Sequence, residues 1–376
     1  MARTLILGGG FGGIAAAVRL RELRPDDEVV LVDQGDRFLM GFRKNTGIVG
    51  TGDILEGSRP LAALARHGIR VVRATVTSID PGGRVAEVAG ERIEADAVLV
   101  ALGVDLHPEA VPGLAEYGIN AYDPGRVPAA AAALAAAQDG RVVIGIFGAP
   151  YRCPPAPYEL ALLLRDASPE LDLTVFTPQP MSLPVLGKAG CEVVEGLLGL
   201  RRVAFRPNAA AEHVEDRRVV LEGGDHVPFD VLLAVPPHRC PQVAVEAGLA
   251  EPGGWVRVDP ATLETGVEGV WAVGDCVAIP LATGQPLPKA GVFAEREGIV
   301  VAERIAARLE GREPTATFDG EGLCWLEVGG GEARAVRGRF LAPGGPDIEL
   351  TPASASLLED KTRYERDRLE AWFGPS

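Results

Sequence analysis

Short apolar runs recur along the chain, each stopped by glycine, proline or an acidic residue. The first, Arg3–Leu7, halts at Gly8-Gly9-Gly10-Phe11-Gly12-Gly13. An alanine-rich segment of helical periodicity follows over residues 14–23 and is closed by Pro25. A second apolar run, residues 28–32, ends in Asp33. The order predicts strand, tight turn, helix, strand. Residues 141–147 resemble the first run and again lead through a turn into a Leu/Ala-rich helix over residues 158–165. Residues 96–103 are echoed by residues 230–237 in the same way, and both echoes lie roughly 135 residues downstream. Two related α/β units are therefore expected. Later, residues 269–274 read as a strand ending in Gly-Asp, and residues 292–309 as a long helix.

Composition narrows the class. At 376 residues, 47% hydrophobic and 24% charged, the chain is that of an ordinary globular protein of two or three domains. The alanine run around residues 129–137 falls well short of the ~20 apolar residues a membrane span needs. A net charge of −15 sets the chain against nucleic-acid phosphate and anionic lipid. Met1-Ala2-Arg3 leads straight into the first strand, without the apolar core of a secretory signal, so a cytoplasmic location is expected, with peripheral membrane contact left open. Cys153, Cys191, Cys240, Cys276 and Cys324 stand far apart, which disfavours zinc ribbons and a disulfide scaffold. The five histidines lack ligand spacing, and no metal is expected.

Gly8, Gly10 and Gly13 fill the G-x-G-x-x-G spacing. One glycine permits the turn, one allows a pyrophosphate to approach the backbone, and one lets helix and strand pack. The N–H groups of the helix start would hold the phosphates, and Asp33, twenty residues after Gly13, would accept from a ribose hydroxyl. The second unit has Gly148-Ala-Pro-Tyr-Arg-Cys153-Pro-Pro-Ala-Pro157 where its glycines should be, so one bound dinucleotide is expected rather than two. Gly274-Asp275 closes a strand, where the carboxylate would meet a polyol hydroxyl; capping a turn is the plainer use. Lys289, just before the long helix, adds a full charge to a helix N-terminus and suits an anion formed during reaction.

Gly8/Gly10/Gly13 with Asp33, the Ala101-Leu102-Gly103 strand end and Gly274-Asp275 together resemble the two-dinucleotide-domain flavoproteins of the pyridine nucleotide–disulfide oxidoreductase superfamily. The resemblance implies noncovalent FAD, with Gly103 as a second FAD contact and Asp275 on the ribityl chain. Within the superfamily, residues 151–159 are similar to the segment around a redox cysteine of sulfide:quinone oxidoreductases and of the flavin subunit of flavocytochrome c sulfide dehydrogenase. Pro288-Lys289-Ala290-Gly291 and the tail over residues 364–374 fit the same group, and Cys324 stands where its second redox cysteine falls. The implied chemistry is attack of sulfide on a Cys153/Cys324 disulfide, with two electrons passing through FAD to a quinone. Cys153, ahead of a helix start, is expected to favour thiolate. Glu159 is a candidate proton acceptor, or a solvated helix glutamate, and Lys289 would stabilise reduced flavin.

There are departures as well. Residues 38–51 hold no cysteine for covalent flavin, and residues 122–150 hold no third redox cysteine. The expected architecture is α/β: two Rossmann-like dinucleotide-binding domains, the second degenerate, plus a small C-terminal segment. Residues 1–110 and 248–312 form the FAD-binding domain, 111–247 the degenerate domain, and 313–376 the segment that brings Cys324 to the flavin. Trp372-Phe373 and Leu357-Leu358 read as an interface, such as a homo-oligomer face, or as a quinone mouth. Two alternatives remain open: a sulfide dehydrogenase subunit with a cytochrome acceptor, and an NAD(P)H-dependent flavin reductase or flavin binder with inert cysteines.

Overall fold

The computed structural model describes residues 1–375. It opens with β1 (Arg3–Leu7), α1 (Phe11–Leu23), β2 (Glu28–Asp33), α2 (Arg43–Val49), β3 (Arg70–Arg73) and β4 (Ala97–Val100). Next come β5 (Ile119–Asn120), β6 (Arg141–Ile146), α3 (Ala156–Ala167), β7 (Asp172–Phe176), β8 (Val203–Arg206) and β9 (Val231–Val235). The chain then returns through β10 (Val270–Ala272) and α4 (Gly291–Leu309), and ends in β11 (Glu321–Gly329), β12 (Glu332–Arg339), β13 (Asp347–Leu350) and α5 (Ala355–Phe373).

Two five-stranded parallel sheets result, ordered β10-β4-β1-β2-β3 and β5-β9-β6-β7-β8. Their central strands are apolar on both faces because both are covered; in the second sheet helices pack on the face of Val142 and Ile144, and the antiparallel meander packs on the face of Val143 and Leu232. The internal repeat extends to single hydrogen bonds. The Arg3 N–H donates to Asp96 Oδ2 at 2.7 Å, and the Arg141 N–H donates to Asp230 Oδ2 at 2.8 Å. Each unit also carries a three-stranded antiparallel meander, Val76–Asp80, Val85–Val88 and Glu91–Glu94 in one, Ala211–Glu215, Arg218–Leu221 and His226–Pro228 in the other.

α1 and α4 lie together with almost no side chain between them. A Cβ on Gly298 would sit 2.2 Å from the Gly12 carbonyl oxygen, and one on Gly12 would sit 2.9 Å from that of Ala294. This crossing brings the late β10–α4 segment back against the first glycine turn, which no local sequence signal announces.

The C-terminal sheet β11-β12-β13 is antiparallel. α5 begins at Ser354, whose hydroxyl accepts from the Leu357 N–H. The structure corrects the expectation for the tail. Trp372 and Phe373 are buried, at 5% and 8% exposure, and belong to the core rather than to an interface or a mouth. Phe38 lies 5.5 Å from Trp372 and 5.7 Å from Phe373, ring centre to ring centre, and Phe11 lies 5.8 Å from Trp372. Leu357 and Leu358 are half-buried. Among the described residues, no helix is long and apolar enough to cross a membrane.

Candidate active site

The glycine turn after β1 is shaped by contacts that forbid side chains. Gly8 has φ +114°, and a Cβ there would lie 2.1 Å from the Ala101 carbonyl oxygen. A Cβ on Gly13 would lie 1.9 Å from the Gly8 oxygen. Gly10, by contrast, has no neighbour within 4 Å of its Cβ position and is exposed at the N-cap of α1, so the backbone is open to a phosphate there. Asp33 Oδ2 accepts from the Gly9 N–H at 2.6 Å and Oδ1 from the Gly35 N–H at 2.7 Å. Each oxygen keeps a further lone pair for a sugar hydroxyl. Gly103, with φ +69°, is likewise open.

The second anchor forms at the end of β10. Gly274 donates its N–H to Glu297 Oε2 at 2.6 Å, and Asp275 follows it. Burial raises the Asp275 pKa against the pull of Lys289, Arg152 and Lys44. Glu297, 2% exposed, is pushed up to about 7 by burial. Lys289 departs from its expected role. Its ammonium donates to the carbonyls of Asp275 (2.6 Å) and Val277 (2.8 Å) and lies 3.5 Å from the centre of the Trp255 ring. It stitches the Asp275 turn together instead of standing free to meet an anion. Lys44, unnoticed in the sequence, carries a charge in the same region. Burial lowers its pKa to about 7, with Arg152 adding to the effect and Cys153 and Asp275 opposing it. Only its place in a segment read for a missing cysteine pointed to it.

Cys153 is held against this turn. Its N–H donates to the Lys289 carbonyl at 2.6 Å, its carbonyl accepts from the Tyr122 hydroxyl at 3.2 Å, and Arg152 forms a parallel bridge with Lys289. At φ +51° Cys153 is left-handed, which a non-glycine residue adopts only when its surroundings impose it. Cys324 lies on β11, paired with Val336. Both are half-buried, and all five cysteines are free thiols. Cys191, Cys240 and Cys276 are buried in the cores.

The expected thiolate at Cys153 is overturned. Burial pushes its pKa up to about 11, the Glu159 carboxylate adds to the rise, and Lys44 and Lys361 only partly oppose it. The two prolines between Cys153 and α3, together with this burial, outweigh the helix dipole. Cys324 is pushed up to about 12 by burial, next by Cys153 and then by Glu159. The two sulfurs thus share one electrostatic neighbourhood. Glu159 is 3% exposed, so the solvated reading fails. Its oxygens accept from Asn45 Nδ2, the Glu327 N–H and Lys361 Nζ at 2.9–3.0 Å.

Alternation along β11 gives the strand two chemical faces. Cys324 lies within electrostatic reach of Cys153, whereas its neighbours Leu323 and Trp325 line a cavity of about 690 Å³ whose apolar side includes Val292, Ile348 and Tyr364 and whose rim carries charged residues. Trp325 and Tyr364 lie 5.2 Å apart, and the Tyr364 hydroxyl donates to Glu295 Oε2 at 2.7 Å. Among the described residues, no group of His, Cys, Asp or Glu is arranged to hold a metal ion.

The cradle fits FAD. It has an open backbone at Gly10 and Gly103, an acid at each anchor, and a second unit whose glycines are replaced. The family model described as "Pyridine nucleotide-disulphide oxidoreductase" matches residues 2–298. The mitochondrial sulfide:quinone oxidoreductase of Mus musculus is 23% identical over 347 residues, covering 86% of this chain and 75% of its own. The sulfide-quinone reductase of Aquifex aeolicus is 29% identical over 341 residues, covering 80% and 75%. The solved structure of sulfide:quinone oxidoreductase from Aquifex aeolicus shares the fold, with a TM-score of 0.88 at 24% identity over 100% of this chain and 93% of that one. A match across most of the chain, on a fold with the glycine cradle and both acidic anchors in place, makes this protein a member of the pyridine nucleotide-disulphide oxidoreductase family, an FAD-carrying oxidoreductase.

Proposed function

We propose that the protein oxidises sulfide at the Cys153/Cys324 pair and delivers two electrons to a quinone. The observation that carries this reading is the pinning of Cys153 to the Lys289 carbonyl beside Asp275, with Cys324 near enough for Cys153 to add to the rise of its pKa. A partly exposed cysteine beside the Asp275 turn supports a redox reading better than a fully buried thiol such as Cys191 would.

In the oxidised pair, HS⁻ attacks one sulfur; the new S–S bond forms as the Cys–Cys bond breaks, and the electron pair stays on the released thiolate. A second HS⁻ attacks the persulfide, freeing HSS⁻ and leaving the cysteines as one thiol and one thiolate. FAD, when bound, supplies the two-electron sink that restores the disulfide. The protein's own part is to hold and to tune. Tyr122 and the Lys289 carbonyl keep Cys153 in its left-handed bend. Lys44, with a pKa of about 7, is the group in that neighbourhood suited to exchange the thiol proton near neutral pH.

The acceptor reading rests on the cavity behind Cys324. Its volume suits a small ring compound, Val292, Leu323, Trp325, Ile348 and Tyr364 give it an apolar and aromatic side opposite a charged rim that includes Glu295, Arg296 and Arg337, and Trp325 Nε1 is a buried donor with no partner, suited to a quinone oxygen. Membrane quinone would reach it by peripheral contact. The test is an anaerobic spectrum: sulfide should bleach the flavin absorbance, and added quinone should restore it. Unchanged absorbance would mean inert cysteines. Stoichiometric bleaching by NADH or NADPH would favour the reductase reading, and reoxidation by a cytochrome but not by quinone would favour the dehydrogenase subunit.

A further inference from the structure

The carboxylate of Glu159 is where four distant parts of the chain meet. Asn45 comes from α2, Glu159 from α3, Glu327 from β11 and Lys361 from α5. Glu159 Oε1 accepts from Asn45 Nδ2 at 3.0 Å, and Oε2 accepts from the Glu327 N–H at 2.9 Å and from Lys361 Nζ at 3.0 Å. Lys361 Nζ also donates to Glu327 Oε1 at 2.8 Å, and it lies 4.8 Å from the centre of the Phe42 ring. A lone charge at this depth would be costly, so the groups hold together only as a complete set. Burial raises the Glu159 pKa against the pull of Lys361, and the three hydrogen bonds hold its carboxyl in place.

The set is placed with respect to the sulfurs. α3 begins three residues after Cys153, and Glu327 follows Cys324 by three residues on β11. The hydrogen bond from the Glu327 N–H to Glu159 therefore ties the element after one cysteine directly to the strand that bears the other. We propose that the Asn45–Glu159–Lys361–Glu327 network is a positioning device for the cysteine pair: it fixes the separation of the two sulfur-bearing segments and holds the Glu159 carboxyl beside both. Glu159 and Lys361 are thus positioning residues, in an extension of the sulfide-oxidation reading above.

The charges facing the sulfurs come from every element around them. Cys153 is faced by Glu159 of its own helix, Lys44 of α2, Lys361 of α5 and Asp275 after β10; Cys324 is faced by Cys153, Glu159 and Lys361. At both cysteines Glu159 raises the thiol pKa more than Lys361 lowers it, which disfavours thiolate at both positions.

The test follows peptide-resolved alkylation by iodoacetamide, using FAD-loaded enzyme reduced with a phosphine and desalted anaerobically, between pH 7 and 10.5. In the wild-type protein the rates at Cys153 and Cys324 should still climb at pH 10, beyond the ~8.5 of an ordinary thiol. Glu159→Gln should shift both profiles down by about one pH unit. Alkylation at pH 8 would then be about tenfold faster. Lys361→Arg, which keeps the charge, should leave both profiles in place. A folded Glu159→Gln protein with unmoved profiles would overturn the proposal. If that variant does not fold, the wild-type curve decides, and a plateau below pH 9 overturns the proposal. The outcome is independent of the substrate. Shifted profiles with no bleaching by sulfide would sink the sulfide reading and leave the network's role standing; unmoved profiles with full bleaching would do the reverse.

Discussion

Gly298→Ala separates local preference from tertiary packing, because the two predict opposite signs. Gly298 lies inside α4, where alanine is the better helix former by about 1 kcal/mol. Judged on the helix alone, the substitution stabilises. In the fold, however, the new Cβ would stand 2.2 Å from the Gly12 carbonyl oxygen, 3.0 Å from its carbon and 3.1 Å from its Cα. Real Cβ atoms essentially never approach closer than 3.0 Å, so α4 and α1 must separate by about 0.8 Å at this point. All three atoms are backbone, and no side chain can rotate away. Overpacking of this kind costs about 1–3 kcal/mol. The helix gain offsets part of that, leaving a net loss of up to about 2 kcal/mol. The strain falls on the turn that carries Gly8, Gly10 and Gly13, so FAD retention should weaken with stability. Urea unfolding of the apo and FAD-loaded protein would measure both effects, and the ligand's contribution should shrink in the variant. An unchanged or raised midpoint with full FAD retention would refute the close-packing account.

The other expectations concern the cysteines, the cofactor and one buried acid. Cys153→Ser and Cys324→Ser should each abolish bleaching of the flavin by sulfide while leaving FAD bound, and Cys191→Ser or Cys240→Ser should do little; full activity in Cys324→Ser would remove the disulfide mechanism. Acid precipitation should release all the flavin as FAD, and colour left in the pellet would reveal a covalent link. Glu297, with its pKa raised from 4.5 to about 7, holds a proton in the folded protein that the unfolded chain has lost. Its contribution to stability is therefore full below pH 4.5 and falls away as pH rises through 7. Glu297→Gln should remove that slope and gain up to about 3 kcal/mol at pH 8 relative to wild type. An equal pH dependence of urea midpoints in the two proteins between pH 5 and 8 would contradict the buried-acid account.

Local features were legible in the chain. Gly8, Gly10, Gly13 and Asp33 lie within one strand–turn–helix–strand unit, and their roles follow from spacing that any backbone of this form must obey. The repeat was legible for the same reason, since each copy repeats the apolar periodicity and strand order of the other. The second unit's proline-rich replacement also showed in the residues themselves, because proline and glycine constrain the backbone wherever they stand.

What escaped was everything set by burial and long-range approach. Asn45, Lys361 and Glu327 carry no motif, and they matter only because folding brings them to Glu159 out of water. Lys289 looked like a free charge at a helix start until the fold supplied two carbonyls and an aromatic face to receive it. The helix dipole predicted a thiolate at Cys153, but dipoles are weak beside desolvation, and depth is a property of the packed molecule. Trp372 and Phe373 read as an exposed surface until Phe11 and Phe38, more than three hundred residues earlier, closed over them. Spacing and backbone preference are written residue by residue, whereas desolvation, charge pairing and the close crossing of α1 and α4 exist only once distant segments have displaced the water between them.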